Sequence, residues 1–349
     1  MIRNPVPPPG AHPAPAVFTL GTADGGLQIQ VSDLGARWLS CLVPLPDGSR
    51  REAILGHATV AAHAREPGYF GAVVGRYANR LAGAAFTLGG RRHALTANEG
   101  ANQLHGGPEG FDRRRWSVVD HGPRHLRLAL HSPDGDQGYP GALDAEVEYR
   151  VDPARPALTL RFGARVTAPC PVSLTSHPYF NLDGDAASVR GHRLSVVAAA
   201  MLPVRADMIP TGELAPVAGT AFDLRQARRL GDGLGRGGQQ LLAGGYDHCF
   251  ALDAPAARGE LAAAELASTD GRLAMRLYTY YPGLQVCSGN FVQNSRGRDG
   301  RPFARHAGIA LEPQFFPDAP NQPAWREQGC VLRPGQRLSR WMRLEFDAR

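Results

Sequence analysis

Leu143-Asp-Ala-Glu-Val-Glu-Tyr-Arg-Val151, then the turn Asp152-Pro-Ala-Arg-Pro156, then Ala157-Leu-Thr-Leu-Arg-Phe-Gly-Ala-Arg-Val166, is the stretch that decides the fold class. Leu143, Ala145, Val147, Tyr149 and Val151 fall on one side of an extended chain, and Asp144, Glu146, Glu148 and Arg150 on the other, because successive side chains of a strand point to opposite faces. Leu158, Leu160, Phe162, Ala164 and Val166 repeat the alternation beyond the turn. The stretch predicts an antiparallel hairpin with one core face and one solvated face. The same period recurs at Leu27-Gln-Ile-Gln-Val31, at Leu126, Leu128 and Leu130, and at Leu273, Met275 and Leu277. Helical periodicity is scarce, with short candidates at Thr59–Ala64 and Leu224–Leu230. Strands that recur about every ten residues between Gly- and Pro-rich turns predict an all-β fold, a large antiparallel β-sandwich, rather than βαβ units. No composition break or fixed-period repeat divides the chain. Residues 1–16, rich in proline, read as a flexible tail, and residues 17–349 as one sandwich domain.

The composition of the 349 residues, 43% hydrophobic and 20% charged, is that of a globular protein with a sizeable core. The net charge is +6, and all 38 basic residues are arginine. A chain without lysine cannot form a lysine Schiff base, which excludes a pyridoxal-phosphate linkage, and it has no P-loop lysine. The arginines are scattered apart from Arg113-Arg114-Arg115 and short pairs, so the sequence predicts no nucleic-acid partner. Cys41, Cys170, Cys249, Cys287 and Cys330 form no C-x-x-C pair and read as free thiols of a reducing cytoplasm. Twelve histidines include no H-x-H and no H-E-x-x-H, so neither a metal nor a cofactor is expected. No apolar run is long enough to span a membrane, and the N-terminus lacks a secretory apolar core, so neither a membrane partner nor export is expected.

Several stretches interrupt the alternation with polar groups that a plain sandwich does not need. Gly308-Ile-Ala-Leu311 reads as a short buried strand that delivers Glu312 just before Pro313, where burial suits a general base. Read alone, Glu312 is equally an exposed carboxylate at a turn. Gly75-Arg-Tyr-Ala-Asn-Arg-Leu81 sets Arg76 and Arg80 around Asn79, and Asn98–Gly107 sets His105 before two glycines. Both are also ordinary surface loops. Gly110–Trp116 has the composition of a sugar-stacking wall or of a loop anchor. Pro171-Val-Ser-Leu-Thr-Ser-His-Pro-Tyr-Phe-Asn-Leu182 concentrates Thr175, Ser176, His177, Tyr179 and Asn181, where His177 can donate a proton near neutral pH. Asp247 and His248 stand at the mouth of a strand, and Gln285 and Asn290 are amides suited to sugar hydroxyls.

Taken in order, Gly75–Leu81, Asn102–Gly107, Thr175–Leu182, Gly245–His248, Gly289-Asn-Phe291 and Glu312–Pro323 resemble aldose 1-epimerase, the galactose mutarotase family. The likeness runs from about Val17 to Leu332-Arg-Pro-Gly335. It implies a galactose mutarotase-like supersandwich, a monosaccharide substrate and no cofactor or metal. By position Glu312 matches the family's general base and His177 its general acid, while Asn79, Arg80, His105, Tyr179, Asp247 and Gln285 match sugar-binding positions. Arg80 is preferred to Arg76 because it directly follows the Asn of the motif. The family usually has Asn where this chain has Ser176. The implied activity interconverts the α and β anomers of aldohexoses such as galactose and glucose by acid/base ring opening and reclosure, in a monomer or weak homodimer. The acid and base chemistry requires Glu312 ionised and His177 protonated at the outset. A nearby carboxylate, Asp247 or Glu312, is expected to raise the His177 pKa. A carbohydrate-binding protein without turnover and a glycoside hydrolase are the alternatives. The second requires two carboxylates, and Asp247 is the partner available to Glu312.

Overall fold

In the computed structural model, residues 14–22, 25–184 and 187–349 are described, so residues 1–13 of the expected tail lie outside the described residues. The deciding hairpin forms as read. Leu143–Val151 and Ala157–Val166 pair antiparallel from Leu143 opposite Val166 to Val151 opposite Leu158. Their turn closes on Asp152, whose Oδ1 accepts from the N–H groups of Ala154 (2.9 Å) and Arg155 (3.1 Å), the local bond that favours Asp in turns. The hairpin lies within a nine-stranded sheet. Its spatial order is Ser117–Gly122, His125–Ser132, Leu143–Val151, Ala157–Val166, Leu338–Ala348, Leu273–Thr279, Ala264–Ala267, Arg193–Val196 and Arg228–Arg229. The C-terminal strand thus closes the middle of the sheet rather than an edge.

A six-stranded sheet runs Tyr179–Phe180, Ile309–Gln314, Gly283–Cys287, Asp247–Ala251, Ala200–Met201 and Ala215–Pro216. A four-stranded sheet of Val17–Gly21, Gln28–Ser32, Arg37–Pro44 and Arg50–Glu52 adjoins them. The ladders of both large sheets are antiparallel. Leu160, Leu277 and Leu344 of the larger sheet and Leu284, Val286 and Leu311 of the six-stranded one belong to a single core, which gathers residues from Leu20 to Phe346. This is the all-β antiparallel sandwich expected from the alternation. Among the described residues, no helix is long and apolar enough to cross a membrane.

The two helix candidates fare differently. Val60–Arg65 is helical, and its N-terminus is capped by Thr59, whose hydroxyl accepts from the Ala62 N–H at 3.1 Å. The Leu224–Leu230 expectation is not met. Arg228 and Arg229 are recruited as an edge strand opposite Leu194 and Arg193, and only Leu230–Gly233 makes a single turn. Sheet pairing overrides a weak local preference there.

Arg76 is a structural clamp. Only 2% exposed, it donates from Nε to Ser132 Oγ (2.9 Å), from Nη1 to Gly141 O (2.8 Å) and from Nη2 to Ser132 O (2.8 Å) and Pro133 O (2.7 Å). A planar fork with fixed donors fits this cage of carbonyls, and an ammonium does not. Arg76→Lys is therefore expected to lower the stability read from the chemical-denaturation midpoint by about 3 kcal/mol, with the KM for sugar little changed in the fraction that remains folded. An unaltered midpoint would contradict the clamp.

Candidate active site

The period of the six-stranded sheet builds the floor of the site. Ile309–Gln314 pairs with Gly283–Cys287 so that Glu312 stands opposite Gln285, and Gln285 in turn stands opposite Cys249. The next row on the same face is Tyr179, Ala310, Cys287 and Asp247. The alternate residues Leu284, Val286, Ile309 and Leu311 enter the main core. The strand runs two residues beyond Glu312, further than the expected Gly308–Leu311, with Pro313 opposite Leu284. Glu312 is therefore buried within a strand rather than exposed at its end, with 1% of its surface accessible.

Loops bring the remaining groups onto this face. Asn79 and His105 are tied twice: the His105 N–H donates to Asn79 O (3.0 Å), and the Asn79 N–H donates to the imidazole Nδ1 of His105 (3.1 Å). Gly106 follows, and a Cβ there would lie 1.9 Å from Gly75 O, so only glycine lets the two loops meet. Beyond Glu312 the chain turns at Asp318, whose N–H donates to Arg80 O (2.9 Å) and whose Oδ1 accepts from the Ala82 N–H (2.9 Å) and Asn321 Nδ2 (2.6 Å). The stretch that supplies Glu312 thus also ties the Asn79-Arg80 segment beside it. His177 is held from a third direction, its N–H donating to Ala72 O (2.9 Å) and its carbonyl accepting from Gly71 N–H (2.8 Å).

These elements enclose a cavity of about 230 Å³, lined among others by Asn79, Arg80, His105, His177, Tyr179, Asp247 and Glu312. His177 Nε2 lies 3.3 Å from Glu312 Oε1. The second oxygen of Glu312 and the Nδ1 of His177 are buried without a hydrogen-bond partner. Burial pushes the Glu312 pKa well above the ordinary carboxylate value, and the charge of Asp247 adds to the shift. Burial also pushes His177 down to about 4, outweighing its own backbone and Asp247. The upward shift of His177 expected from a neighbouring carboxylate is thus reversed, because desolvation of the cation exceeds the attraction. The free site accordingly favours an uncharged pair that holds one proton. Around it, Arg80 is gripped by Glu99 through Nε (2.6 Å) and Nη2 (2.8 Å) and lies 3.7 Å from Asp247. Burial works against its charge, but Asp247 and Glu99 prevail and raise its pKa.

The sequence candidates separate into cavity and scaffold. Gln285 lies beneath the cavity, donating to Asp247 Oδ1 at 2.8 Å. Asn290 lines the cavity, but its amide is committed to the carbonyls of Ala243 (2.8 Å) and Tyr246 (3.0 Å). His248, one residue out of phase with Asp247, packs on Phe222 on the core side of the sheet. Trp116 belongs to the core and donates to Phe111 O (3.1 Å), so it anchors a loop rather than walling the cavity. Ser176 is buried on a strand paired with Val73–Val74 and is not part of the lining. Among the lining residues left unassigned in the sequence are Glu99, which holds Arg80, and Tyr69, packed on both cavity imidazoles. The glycines of Gly68-Tyr-Phe-Gly71 are the signal that points to Tyr69. At a larger groove of about 630 Å³ lined by Glu52, Arg298 and Phe303, Arg298 is spent on Leu39 O and Ile54 O, and Glu52 on Ser40 and the Cys41 N–H.

A buried carboxylate–imidazole pair in a small polar cavity on an antiparallel sandwich has the composition of an acid–base site. Comparison with known proteins gives the family. Residues 17–345 match aldose 1-epimerase, and this chain belongs to that family. It is 44% identical over 326 residues to the aldose 1-epimerase of Escherichia coli (strain K12), covering 93% of each chain. To the galactose mutarotase of Homo sapiens it is 38% identical over 314 residues, 89% of this chain and 88% of that one. Among solved structures, it superposes on an aldose epimerase homologue from C. elegans with a TM-score of 0.88 at 26% identity, covering 96% of this chain and 99% of that one. The galactose 1-epimerase of Lactobacillus acidophilus gives 0.82 at 29% identity, over 95% of this chain and 93% of that one.

His105, His177 and Glu312 are also the cluster among the described residues with metal-ligand composition, their donor atoms within 4.8 Å of one another. The donor set does not suit a metal. The Asn79 N–H occupies Nδ1 of His105, which leaves the hydrogen on Nε2, and a protonated nitrogen cannot coordinate. Prolonged dialysis against EDTA is expected to leave the polarimetric rate unchanged. Activity lost to EDTA and recovered on adding a divalent ion would refute this.

Proposed function

We propose that this protein interconverts the α and β anomers of free aldohexoses such as galactose and glucose. The observation that carries the reading is the buried contact of 3.3 Å between His177 and Glu312 on the wall of the cavity. Ring opening removes the proton of the C1 hydroxyl and delivers one to the ring oxygen as the C1–O5 bond breaks. Rotation about C1–C2 and reclosure on the other face reverse both transfers. One base and one acid suffice. In the reactive arrangement the proton of the pair sits on His177, and Glu312 takes the C1 proton. His177 then protonates the ring oxygen, and the roles exchange on reclosure. His105, kept neutral by burial and by the positive charges of His177 and Arg80, offers a fixed N–H donor. Asn79, Arg80, Tyr179 and Asp247 hold hydroxyls, and Gln285 braces Asp247.

The same groups argue against the alternatives. A glycoside hydrolase needs a second free carboxyl, but Asp247 is engaged by Gln285 and Arg80. A site that only binds sugar has no use for a desolvated Glu312 with an unpartnered oxygen. The charges of the lining argue against sugar phosphates as well. Arg80 is the arginine of the lining and is already matched by Glu99 and Asp247, so a phosphate would enter beside carboxylates without a free cation. The cavity is complete within one chain, which supports a monomer or weak homodimer. Five free cysteines, four of them buried, support a reducing, cytoplasmic setting.

Glu312→Gln is expected to lower the polarimetric rate on fresh α-D-galactose or α-D-glucose by about 10²–10⁴-fold, with sugar binding and melting temperature retained. A near wild-type rate in the purified variant would remove Glu312 from the mechanism.

The pH profile follows from the shared proton. As pH falls toward about 4, His177 accepts a second proton and the base is blocked. As pH rises through the elevated Glu312 value, the pair loses its only proton. The profile of kcat/KM should be a bell whose acid limb lies near pH 4 and whose alkaline limb is displaced well above the ordinary carboxylate range, each limb belonging to the pair. His177→Asn should lose the acid limb together with most of the activity. An acid limb unchanged in that variant would place the group elsewhere.

A further inference from the structure

We propose that Tyr69 is a positioning residue for the reaction, its ring wedged against the two imidazoles of the cavity so that His105 and His177 keep their mutual orientation and stay shielded from water. The inference rests on the anomer-exchange reading of the same site. The Tyr69 ring lies 4.6 Å from that of His105 and 6.0 Å from that of His177, and the imidazoles lie 5.4 Å apart with an interplanar angle of 80°. No side chain of the sheet performs this bridging. His105 arrives on the loop tied to Asn79 and His177 on the strand end beside Tyr179, so Tyr69 is the piece that makes them one unit.

The backbone supports a functional reason for the residue. Tyr69 has φ +59°, a left-handed conformation that a bulky aromatic rarely adopts. The loop is held there by its surroundings: Ala72 N–H donates to Tyr69 O (2.8 Å), Gly71 N–H donates to His177 O (2.8 Å), and Arg37 Nη1 donates to Phe70 O (2.8 Å). A Cβ on Gly71 would lie 1.9 Å from Trp38 O, which fixes the turn against the core. Glycine would fit position 69 with less strain, and strained non-glycine residues persist where the side chain is needed. Among the described residues, the contacts that join Tyr69 to both imidazoles are made by its ring. The groups that face His177 are Glu312, Asp247, His105, Tyr179 and Arg37, together with Tyr69 itself.

The test compares Tyr69→Gly, Tyr69→Asn and Tyr69→Phe in the full chain, by polarimetry and by NMR titration of the imidazoles in sugar-free protein. Glycine and asparagine both accept left-handed backbone, so the loop is retained and two variants guard against a folding defect in either. Both should lose about tenfold to a hundredfold in kcat, with KM changed less. His177, newly wetted, should titrate above its value of about 4, nearer the ordinary 6.5, and the acid limb should move with it. Tyr69→Phe should keep the kcat and the His177 titration of the parent. Wild-type kcat and an unmoved titration in the glycine and asparagine variants would reduce Tyr69 to filler and overturn the proposal. A loss in Tyr69→Phe as large as in Tyr69→Gly would also overturn it, by assigning the role to the hydroxyl. If the parent itself exchanged no anomers, the function would fall, and the titration would still report whether Tyr69 holds His177.

Discussion

The register between Ile309–Gln314 and Gly283–Cys287 is the constraint on which the site depends. Because a strand alternates with a period of two, sliding one partner by a single residue would send Glu312 into the hydrocarbon core and bring Leu311 into the cavity. The present register is locked by what lies on the reverse face: Leu284, Val286, Ile309 and Leu311 all enter the main core. The apolar half of the sheet therefore specifies the position of the polar half. Burial then does the electrostatic work, since a carboxylate fixed in a strand interior cannot turn out to water and keeps a proton that it would otherwise lose.

The loops are subordinate to this floor. Asp318, six residues beyond Glu312, reaches back to the carbonyl of Arg80, and Asn321 ties to Ala85 O at 2.9 Å. Asp318 and Asn321 thereby serve as ties between loops. The residues Arg76 and Arg80 show how close two fates can lie: one guanidinium is consumed by backbone carbonyls, and the other is presented to the cavity between two carboxylates.

Much of this was legible in the sequence, for reasons of geometry. The hairpin of Leu143–Val166 was read correctly because alternation over two consecutive strands has no helical counterpart. Asp247 and His248 stand together at the mouth of a strand, but the same rule places neighbours on opposite faces, and Asp247 is the one in the cavity. The sequence ends this strand at Leu311, whereas it continues through Pro313, because a proline in a ladder usually marks an edge or an end. The direction of the His177 shift was beyond sequence reasoning, which identifies neighbours but not depth. Tyr69 was missed because its importance lies in contacts between loops, and no periodic pattern announces those. Trp116 illustrates the converse, an aromatic beside charge whose ring is used entirely inside.

Tyr69, Asn79 and His105, with φ of 59°, 67° and 50°, line the cavity on left-handed backbone. An engineer who optimised this chain for local fit would write glycine at most of them, and each change taken singly would look like an improvement. Taken together they would strip the cavity of its side chains while leaving the sandwich intact. The fold's tolerance and the enzyme's tolerance are thus distributed in opposite senses over the same molecule. Variation meant to harden this protein belongs in the outer strands of the nine-stranded sheet, where a local gain has no catalytic counterpart to lose.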